Sequence, residues 1–320
     1  MKKYYYCVDV GGTSIKAGIV DKDNNIIHKG FVKTIVSSHP DFLSESILKL
    51  IASLEEKSNL PISKAAGLGI GVPGLIDSEN GLIRYSGNLK LKNYPLKQTL
   101  ESKLNIPIKV SNDASVALLA ELFAGAGRNY KNFIMLTLGT GIGGGIVISG
   151  RPLSEFSNFC CEVGHMKVTS KKLSCTCGDY GCFEALASTK ALTTLTASAM
   201  KKNPDSLMWQ SCTPETASGK TVFEFLDKDK TAQDVFNEYI ENLGTGIVSL
   251  YNIFNPEAII IGGAISQKKH ILIDPLKKYV DSRIFVQNAD IKSNIIIAEM
   301  TGDAGIVGGK FLFRKEKKWN

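Results

Sequence analysis

The sequence predicts an α/β protein, because β-rich runs and helical patterns alternate along its whole length. Three β-rich runs separated by turn signals open the chain, and a hairpin with a glycine-rich turn recurs near its middle. The 320 residues are 43% apolar, which is ample for a sizeable core. We therefore expect two α/β domains, with one glycine hairpin in each half of the chain.

The first half predicts an antiparallel meander followed by alternating helices and strands. Its strands are expected at 4–10, 15–20 and 26–32, with turns at Gly11-Gly12 and between Asp21 and Asn25. Apolar residues then recur at helical spacing. The further elements predicted here are a helix at 41–57, a strand at 66–72, a helix at 95–104, a strand at 107–110 and a helix at 114–124.

The second half repeats this plan. Its predicted elements are strands at 133–138 and 145–148, helices at 183–200 and 232–253, a strand at 258–261, a helix at 271–282, a strand at 294–299 and a helix from about 303. We place a domain boundary near residue 115. A small N-terminal domain would then span 1–115 and a large domain 116–302, with a last helix at about 303–320 packing back on the small domain.

Charge and hydropathy argue against a nucleic-acid or membrane partner. The net charge is +7, but the basic residues are scattered. Their local concentration, at Lys310, Arg314, Lys315, Lys317 and Lys318, is typical of the solvated face of a last helix. No run of about 18 apolar residues occurs, and the N-terminus lacks the small-residue cleavage site of a signal peptide. We expect a cytoplasmic protein.

The first glycine motif predicts a phosphate-binding turn between two strands. It reads Asp9-Val-Gly11-Gly12-Thr13-Ser-Ile-Lys16. Glycines let backbone N–H groups approach a phosphate, Thr13 can donate a hydroxyl, and Asp9 can hold Mg²⁺ through water. An ordinary hairpin turn would carry the same glycines, so this motif alone does not establish phosphate binding.

Two further glycine motifs follow apolar strands. The run Leu138 to Gly145 holds five glycines, among them Gly139 and Gly141, with Thr140 between these two. It lacks the Gly-Lys-Ser/Thr end of a Walker motif, and it precedes a strand rather than the helix of a Rossmann fingerprint. Gly262 and Gly263 follow a third strand, where they would admit an adenine or ribose or serve helix and strand packing.

The paired hairpins resemble the phosphate clamps of the hexokinase and actin superfamily. That resemblance implies a two-domain, ribonuclease H-like or actin-like ATPase fold with ATP in an interdomain cleft.

A cysteine-rich run predicts a metal site. Cys175, Cys177 and Cys182 lie at short spacing, and His165 precedes them. In a cytoplasmic chain such clustering indicates metal before disulfide. Three thiolates and one imidazole form the closed tetrahedral set that is typical of structural Zn²⁺.

The motifs together resemble the family of repressors, open reading frames and kinases (ROK). The matching runs are Asp9-Val-Gly-Gly-Thr, Gly71-Val-Pro-Gly74, Leu138-Gly-Thr-Gly and Cys175 to Ser188. The resemblance covers nearly the whole chain and implies an ATP-dependent sugar kinase, with dimers common in the family. It also implies a sugar pocket lined by Gly74, Asn88, Asn112, Asp113, Glu162, His165 and Glu184.

Asp113 is the predicted catalytic base. It lies where a predicted strand ends and a helix begins, so the alternative is that it only caps the helix. The resemblance favours catalysis and a glucokinase-like pocket, with phosphorylation at the 6-position of glucose. N-Acetylmannosamine, N-acetylglucosamine and fructose remain alternative substrates. A sugar-sensing repressor is a further alternative, but it would carry a helix-turn-helix segment before the first glycine hairpin.

Two departures from the family pattern leave the sugar open. Cys160-Cys161 stands where the family commonly has Ala-Gly, and Asn93-Tyr94 stands where a tryptophan often follows the Asn88-Leu89 pair.

Overall fold

The computed structural model describes residues 3–37, 39, 41–157, 159–263, 265, 269–300 and 302–314. The chain divides into two compact units. The first comprises 1–131, 145–161 and 299–320, and the second comprises 132–144 and 162–298. The expected boundary near residue 115 falls inside a helix that belongs entirely to the first unit. No helix in the described ranges is long and apolar enough to cross a membrane.

The described strands and helices alternate, which confirms the α/β class. The strands are β1 (Tyr4–Val10), β2 (Ser14–Asp21), β3 (Ile26–Lys33), β4 (Leu68–Val72), β5 (Leu75–Asp77), β6 (Leu82–Ser86), β7 (Leu91–Tyr94), β8 (Ile108–Asn112), β9 (Phe133–Leu138), β10 (Ile142–Ile148), β11 (Arg151–Pro152), β12 (Ala258–Gly262) and β13 (Ile295–Ile297). The helices are α1 (Phe42–Ser58), α2 (Leu96–Glu101), α3 (Asp113–Ala124), α4 (Phe183–Ala187), α5 (Thr189–Lys202), α6 (Gly219–Phe225), α7 (Lys230–Phe254), α8 (Lys269–Asp281) and α9 (Ala304–Phe311).

Two five-stranded sheets share one topology. The first has the order β3-β2-β1-β4-β8, and the second has the order β11-β10-β9-β12-β13. In the first, β1 pairs antiparallel with β2 and parallel with β4. In the second, β12 runs parallel to both β9 and β13. The recurrence seen in the sequence is thus a repeated fold, and each glycine turn lies between the first two strands of its repeat.

Helices cover both faces of the first sheet. Successive side chains of a strand point to opposite faces. Accordingly Tyr6 and Val8 join the core beneath α1, whereas Tyr5 and Cys7 pack with Ile306 of α9. Nearly every residue of β1 is buried for this reason.

Close packing of α9 depends on glycine. A Cβ added at Gly308 would lie 1.9 Å from the carbonyl oxygen of Val116 in α3. By helix propensity alone, Gly308→Ala would stabilise the fold by about 0.5–1 kcal/mol. The backbone clash opposes this, and we expect the free energy of unfolding to fall by about 1–3 kcal/mol in denaturant titrations. Gly219→Ala, whose new Cβ would have no neighbour nearer than 3.5 Å, is the control; an equal loss in both variants would contradict the packing argument.

The helix predicted at 183–200 is in fact two helices. Ser188 adopts an extended conformation (φ −71°, ψ 167°) between α4 and α5. Its side chain accepts a hydrogen bond from the backbone N–H of Ala191, so it caps α5. The last helix, α9, ends at Phe311, and Lys315, Lys317 and Lys318 of the predicted helix lie outside the described residues.

Candidate active site and metal cluster

The first glycine turn is hydrogen-bonded to Thr34, the residue that follows β3. The N–H of Gly11 donates to the carbonyl of Ser14. Thr34 donates its hydroxyl to the carbonyl of Gly11 over 2.7 Å and its N–H to the carbonyl of Thr13. Gly12 is exposed, and an added Cβ there would meet nothing within 4 Å. This open backbone is suited to a large anion such as a phosphate.

Asp9 and Lys16 flank this turn. Burial raises the pKa of Asp9, and the charge of Lys16 partly opposes the shift. The Lys16 ammonium donates to the carbonyl of Gly302 over 3.3 Å. Carboxylate oxygens are the ligands that a hydrated Mg²⁺ prefers, so Asp9 could hold the ion through water.

Asp9→Asn is expected to stabilise the fold in the absence of bound cations. Folding raises the pKa of Asp9 above its ordinary 3.8, so the charged form disfavours the folded state. The resulting loss of folding stability is complete when the pH is above the raised pKa of the folded state, and it disappears when the pH is below the pKa of Asp9 in the unfolded chain. The variant should therefore melt at a higher temperature than the wild type at pH 7, and this gain should shrink as the pH falls toward the ordinary pKa of 3.8. Asp227→Asn, at an exposed position, is the control. A wild-type melting temperature at pH 7 would contradict the predicted penalty.

The second glycine turn is tied to Glu184. The N–H of Ile142 donates to Glu184 Oε2 over 3.0 Å. A Cβ at Gly141 would lie 2.2 Å from the same oxygen, so only glycine admits this approach. Thr189 of α5 donates its N–H to the carbonyl of Gly139, which anchors the other end of the turn. Thr140, between these anchors, is exposed.

The third glycine site adjoins the second. β12 runs parallel to β9, and Gly262 pairs with Thr137 near the ends of the two strands. Gly263 has φ +95°, and a Cβ there would lie 2.1 Å from the carbonyl oxygen of Leu138. Both glycine sites are thus at the carboxyl ends of two neighbouring parallel strands, β9 and β12, which is where α/β sheets bind nucleotides.

Asp113 is not the helix cap. Asn112 occupies the N-cap position of α3, and its Oδ1 accepts the N–H groups of Ala114 and Ser115 over 2.9 and 3.1 Å. Asp113 is the first helical residue, and its Oδ1 accepts from the N–H of Ala114. Asn112 is therefore the cap of α3. The carboxylate of Asp113 is half-buried and lies at the helix N-terminus.

Gly74 and Asn112 are in contact within the first unit. The Asn112 amide donates to the carbonyl of Gly74 over 3.0 Å. Gly74 has φ +123°, and an added Cβ there would lie 2.2 Å from the carbonyl oxygen of Tyr85 in β6. Asn88 follows in the turn between β6 and β7 and is exposed. One amide hydrogen of Asn112 is left over from these bonds and could donate to a hydroxyl.

Glu162, His165 and Glu184 lie together in the second unit. Although Glu162 is exposed, the surrounding protein removes enough water to raise its pKa, and the charge of Glu184 adds to the rise. The charge of His165 lowers the pKa of Glu162 and so partly opposes this rise. The backbone N–H of His165 donates to the carbonyl of Glu162, which fixes this short turn. Two carboxylates and an imidazole offer the acceptors and donors that polyhydroxyl ligands require.

The predicted metal ligands form a cluster. The ligand atoms of His165, Cys175, Cys177 and Cys182 all lie within 4.8 Å of one another. His165 Nδ1 is 3.6 Å from the Cys175 sulfur, and the Cys177 and Cys182 sulfurs are 3.7 Å apart. Tetrahedral zinc, with bonds of about 2.3 Å to sulfur and 2.0 Å to nitrogen, would separate such ligands by about 3.5–3.8 Å. The four residues therefore fit zinc.

Charges around the cluster suit bound thiolates. Lys167 donates to the Cys182 sulfur over 3.3 Å. The N–H of Asp179 lowers the pKa of Cys177, whereas burial raises the pKa of Cys175 to about 12. Without a metal, Cys175 would therefore keep its proton at neutral pH. A metal cation would bind the Cys175 sulfur in place of this proton.

The cluster is connected to Glu184. The hydroxyl of Thr176 donates to Glu184 Oε1 over 2.6 Å, and the Cys175 sulfur lies 3.6 Å from the same oxygen. One carboxylate therefore joins the cysteine run to the second glycine turn. Sequence reasoning missed Thr34 and Thr189, because each bonds a residue far away in the chain, and it missed Thr176 because a motif does not show which of its side chains are bonded to one another.

Comparisons with known proteins identify the family of this chain. The ROK family model matches residues 5–316. A glucokinase of Thermotoga maritima is 33% identical over 96% of this chain and 96% of its own, and one of Halalkalibacterium halodurans is 31% identical over 98% and 96%. The structure of a Streptomyces griseus ROK glucokinase, in complex with glucose and AMPPNP, is 29% identical and covers 97% of this chain and 98% of its own at a TM-score of 0.86.

These similarities extend over nearly the whole chain. They show the actin-like ATPase fold and the ATP-dependent sugar kinase activity that the site was expected to serve. The chain belongs to the ROK family.

Proposed function

We propose that this chain is a glucokinase-like enzyme that transfers the γ-phosphate of ATP to the 6-hydroxyl of glucose. The observation that carries the proposal is the grouping of Glu162, His165 and Glu184 beside the second glycine turn. Glucose is the sugar bound in the Streptomyces griseus structure, and both relatives described above are glucokinases.

Sugar binding is assigned to the carboxylates, amides and imidazole described above. Glu162 and Glu184 accept hydrogen bonds from ring hydroxyls, because an ionised carboxylate only accepts. Asn88 and Asn112 bind further hydroxyls, and Gly74 keeps Asn112 in place through its carbonyl. His165 uses its remaining ring nitrogen for the sugar while Nδ1 faces the cysteines. Such paired donors and acceptors reject analogues that lack a hydroxyl.

Nucleotide binding is assigned to the three glycine sites. Gly11, Gly12 and Thr13 offer the open first turn to the phosphates, and Lys16 adds positive charge. Gly139, Thr140 and Gly141 form the second clamp, and Gly262 with Gly263 receives the adenosine. Asp9 holds Mg²⁺ through water, and the ion neutralises phosphate charge when it is bound.

Asp113 accepts the proton of the attacking hydroxyl. Asp113 is the first residue of α3 and lies at the helix N-terminus, where Asn112 satisfies the backbone as the cap. As the proton moves to Asp113, the hydroxyl oxygen becomes a better nucleophile toward the γ-phosphorus.

The cysteine cluster is proposed to hold a structural zinc ion. His165, Cys175, Cys177 and Cys182 would be its ligands. With all four positions taken by protein, the metal supplies rigidity. That rigidity reaches the sugar residues because His165 is itself a ligand and Glu184 is bonded to Thr176.

Coupled ADP release with ATP and Mg²⁺ tests this function. The panel contains glucose, mannose, fructose, N-acetylglucosamine, N-acetylmannosamine and cellobiose. Glucose should give the highest kcat/KM. Preference for another sugar would overturn the substrate and keep the kinase, whereas zinc-loaded protein that releases no ADP with any sugar would favour a sugar-sensing role.

A further inference from the structure

Cys160 and Cys161 form a vicinal dithiol directly before Glu162. Their sulfur atoms are 3.4 Å apart, and both residues are half-buried. No disulfide joins any of the seven cysteines, each of which lies in the described part of the chain. Neither thiol belongs to the metal cluster, and the phosphoryl transfer proposed above uses neither of them.

The backbone at this pair has an uncommon conformation. Cys161 has φ +67°, in the left-handed region that β-carbon-bearing residues seldom adopt. Such conformations cluster at functional and switching sites. The residues before the pair, Phe156, Ser157 and Phe159, are exposed, so a small molecule in solvent can reach the thiols.

We propose that Cys160 and Cys161 are a reversible oxidation site, which closes to a disulfide by exchange with a low-molecular-weight disulfide and thereby weakens sugar binding through Glu162. One thiolate attacks the small disulfide, forms a mixed disulfide and releases one thiol. The neighbouring thiolate then attacks the protein sulfur and releases the second thiol. Two electrons and two protons pass to the small disulfide, which leaves as two thiols.

Because Cys160 and Cys161 are adjacent in the chain, a disulfide between them would be labile rather than structural. Consecutive Cα atoms are about 3.8 Å apart, below the roughly 4.4–6.8 Å found in most disulfides. A disulfide closed at this spacing is strained and therefore easily reduced. The sulfurs would have to approach from 3.4 Å to about 2.05 Å, which requires rotation of the bonds around the peptide that joins the two residues.

Ring closure acts on the next residue in the chain. It fixes ψ of Cys160 and φ of Cys161, and so changes the direction in which the backbone enters Glu162. This consequence rests on the proposed sugar-binding role of Glu162. Loss of one charge-assisted hydrogen bond to the sugar would raise the sugar KM by about tenfold. The kcat would change less, because Asp113 is not on this segment.

The test exposes the full zinc-loaded chain to buffers with rising ratios of oxidised to reduced glutathione. Free thiols are then alkylated, and the tryptic peptide 132–167, which holds Cys160 and Cys161 as its two cysteines, is weighed. Bound zinc, sugar KM and kcat are measured on the same samples. We expect a peptide lighter by two hydrogen atoms and without alkyl groups, an unchanged zinc content and a raised KM that dithiothreitol restores.

Matched variants separate this pair from the other cysteines. Cys160→Ser should never give the peptide lighter by two hydrogen atoms, because Cys161 alone can carry only a glutathione adduct, which has a distinct mass, whereas Cys212→Ser should respond like the wild type. A peptide that stays doubly alkylated under full oxidation would overturn the oxidation site. A disulfide with unchanged KM would overturn its effect on the sugar. If the reduced chain phosphorylates no sugar, the proposed function fails, yet the peptide mass still decides the oxidation site.

Discussion

Replacing Asp113 with asparagine is expected to lower kcat by about 10²–10⁴-fold, the usual contribution of a general base. The carboxamide cannot take the proton of the sugar hydroxyl. It retains the side-chain oxygen that accepts from the N–H of Ala114, and Asn112 still caps α3, so the fold should be kept. Coupled ADP release measures kcat, and calorimetric titration measures glucose and ATP binding, which should change little.

Asp227→Asn is the control for this experiment, because Asp227 is an exposed carboxylate in the second unit. Its kcat should equal that of the wild type. Turnover near the wild-type level in Asp113→Asn, with normal binding of both substrates, would exclude Asp113 as the base. Another carboxylate would then have to take the proton.

Replacing Cys177 with serine is expected to lower zinc affinity by more than about tenfold, since even partners outside the ligand set change metal affinity by 10–100-fold. The loss should also raise the sugar KM. Cys175 and Thr176 belong to the same run and contact Glu184, so loosening the run releases that carboxylate. Competition with a chromogenic chelator measures zinc, and the coupled assay gives KM.

Cys212→Ser is the matched control, because the Cys212 sulfur contacts the Met208 carbonyl and Thr221 and lies outside the cluster. It should retain both zinc and KM. A Cys177→Ser protein with full zinc content and the wild-type KM would refute both the ligand role and the link to the sugar residues.

The repeated hairpins and the cluster of one histidine and three cysteines could be predicted because their signals are local. Strand β9 lies at the predicted residues, and the meander strands differ from the prediction by one residue at most. The three short strands β5, β6 and β7 were missed, since runs of three to five residues are too short to show a period. The break at Ser188 was also missed, because a serine is tolerated within a helix and caps one equally well.

The contacts that assemble the site could not be predicted from local sequence patterns. Asn112 and Asp113 are both common cap residues, so spacing could not decide which of them caps α3. The bond between Ile142 and Glu184 joins residues 42 positions apart, and the bond from Lys16 to Gly302 spans 286. Only the fold brings such pairs together. The sequence likewise could not reveal that Glu184 is bonded to both the glycine turn and the cysteine run.

The position of the transferred phosphate tests the central proposal most directly. The chain is incubated with glucose, ATP and Mg²⁺, and the product is examined by two-dimensional phosphorus–proton NMR. Glucose 6-phosphate, recognised by coupling of the phosphorus to the protons on carbon 6, is the predicted result, and Asp113→Asn should yield almost none. ATP consumption without a phosphorylated sugar, or a phosphate on another carbon of glucose, would contradict the proposal.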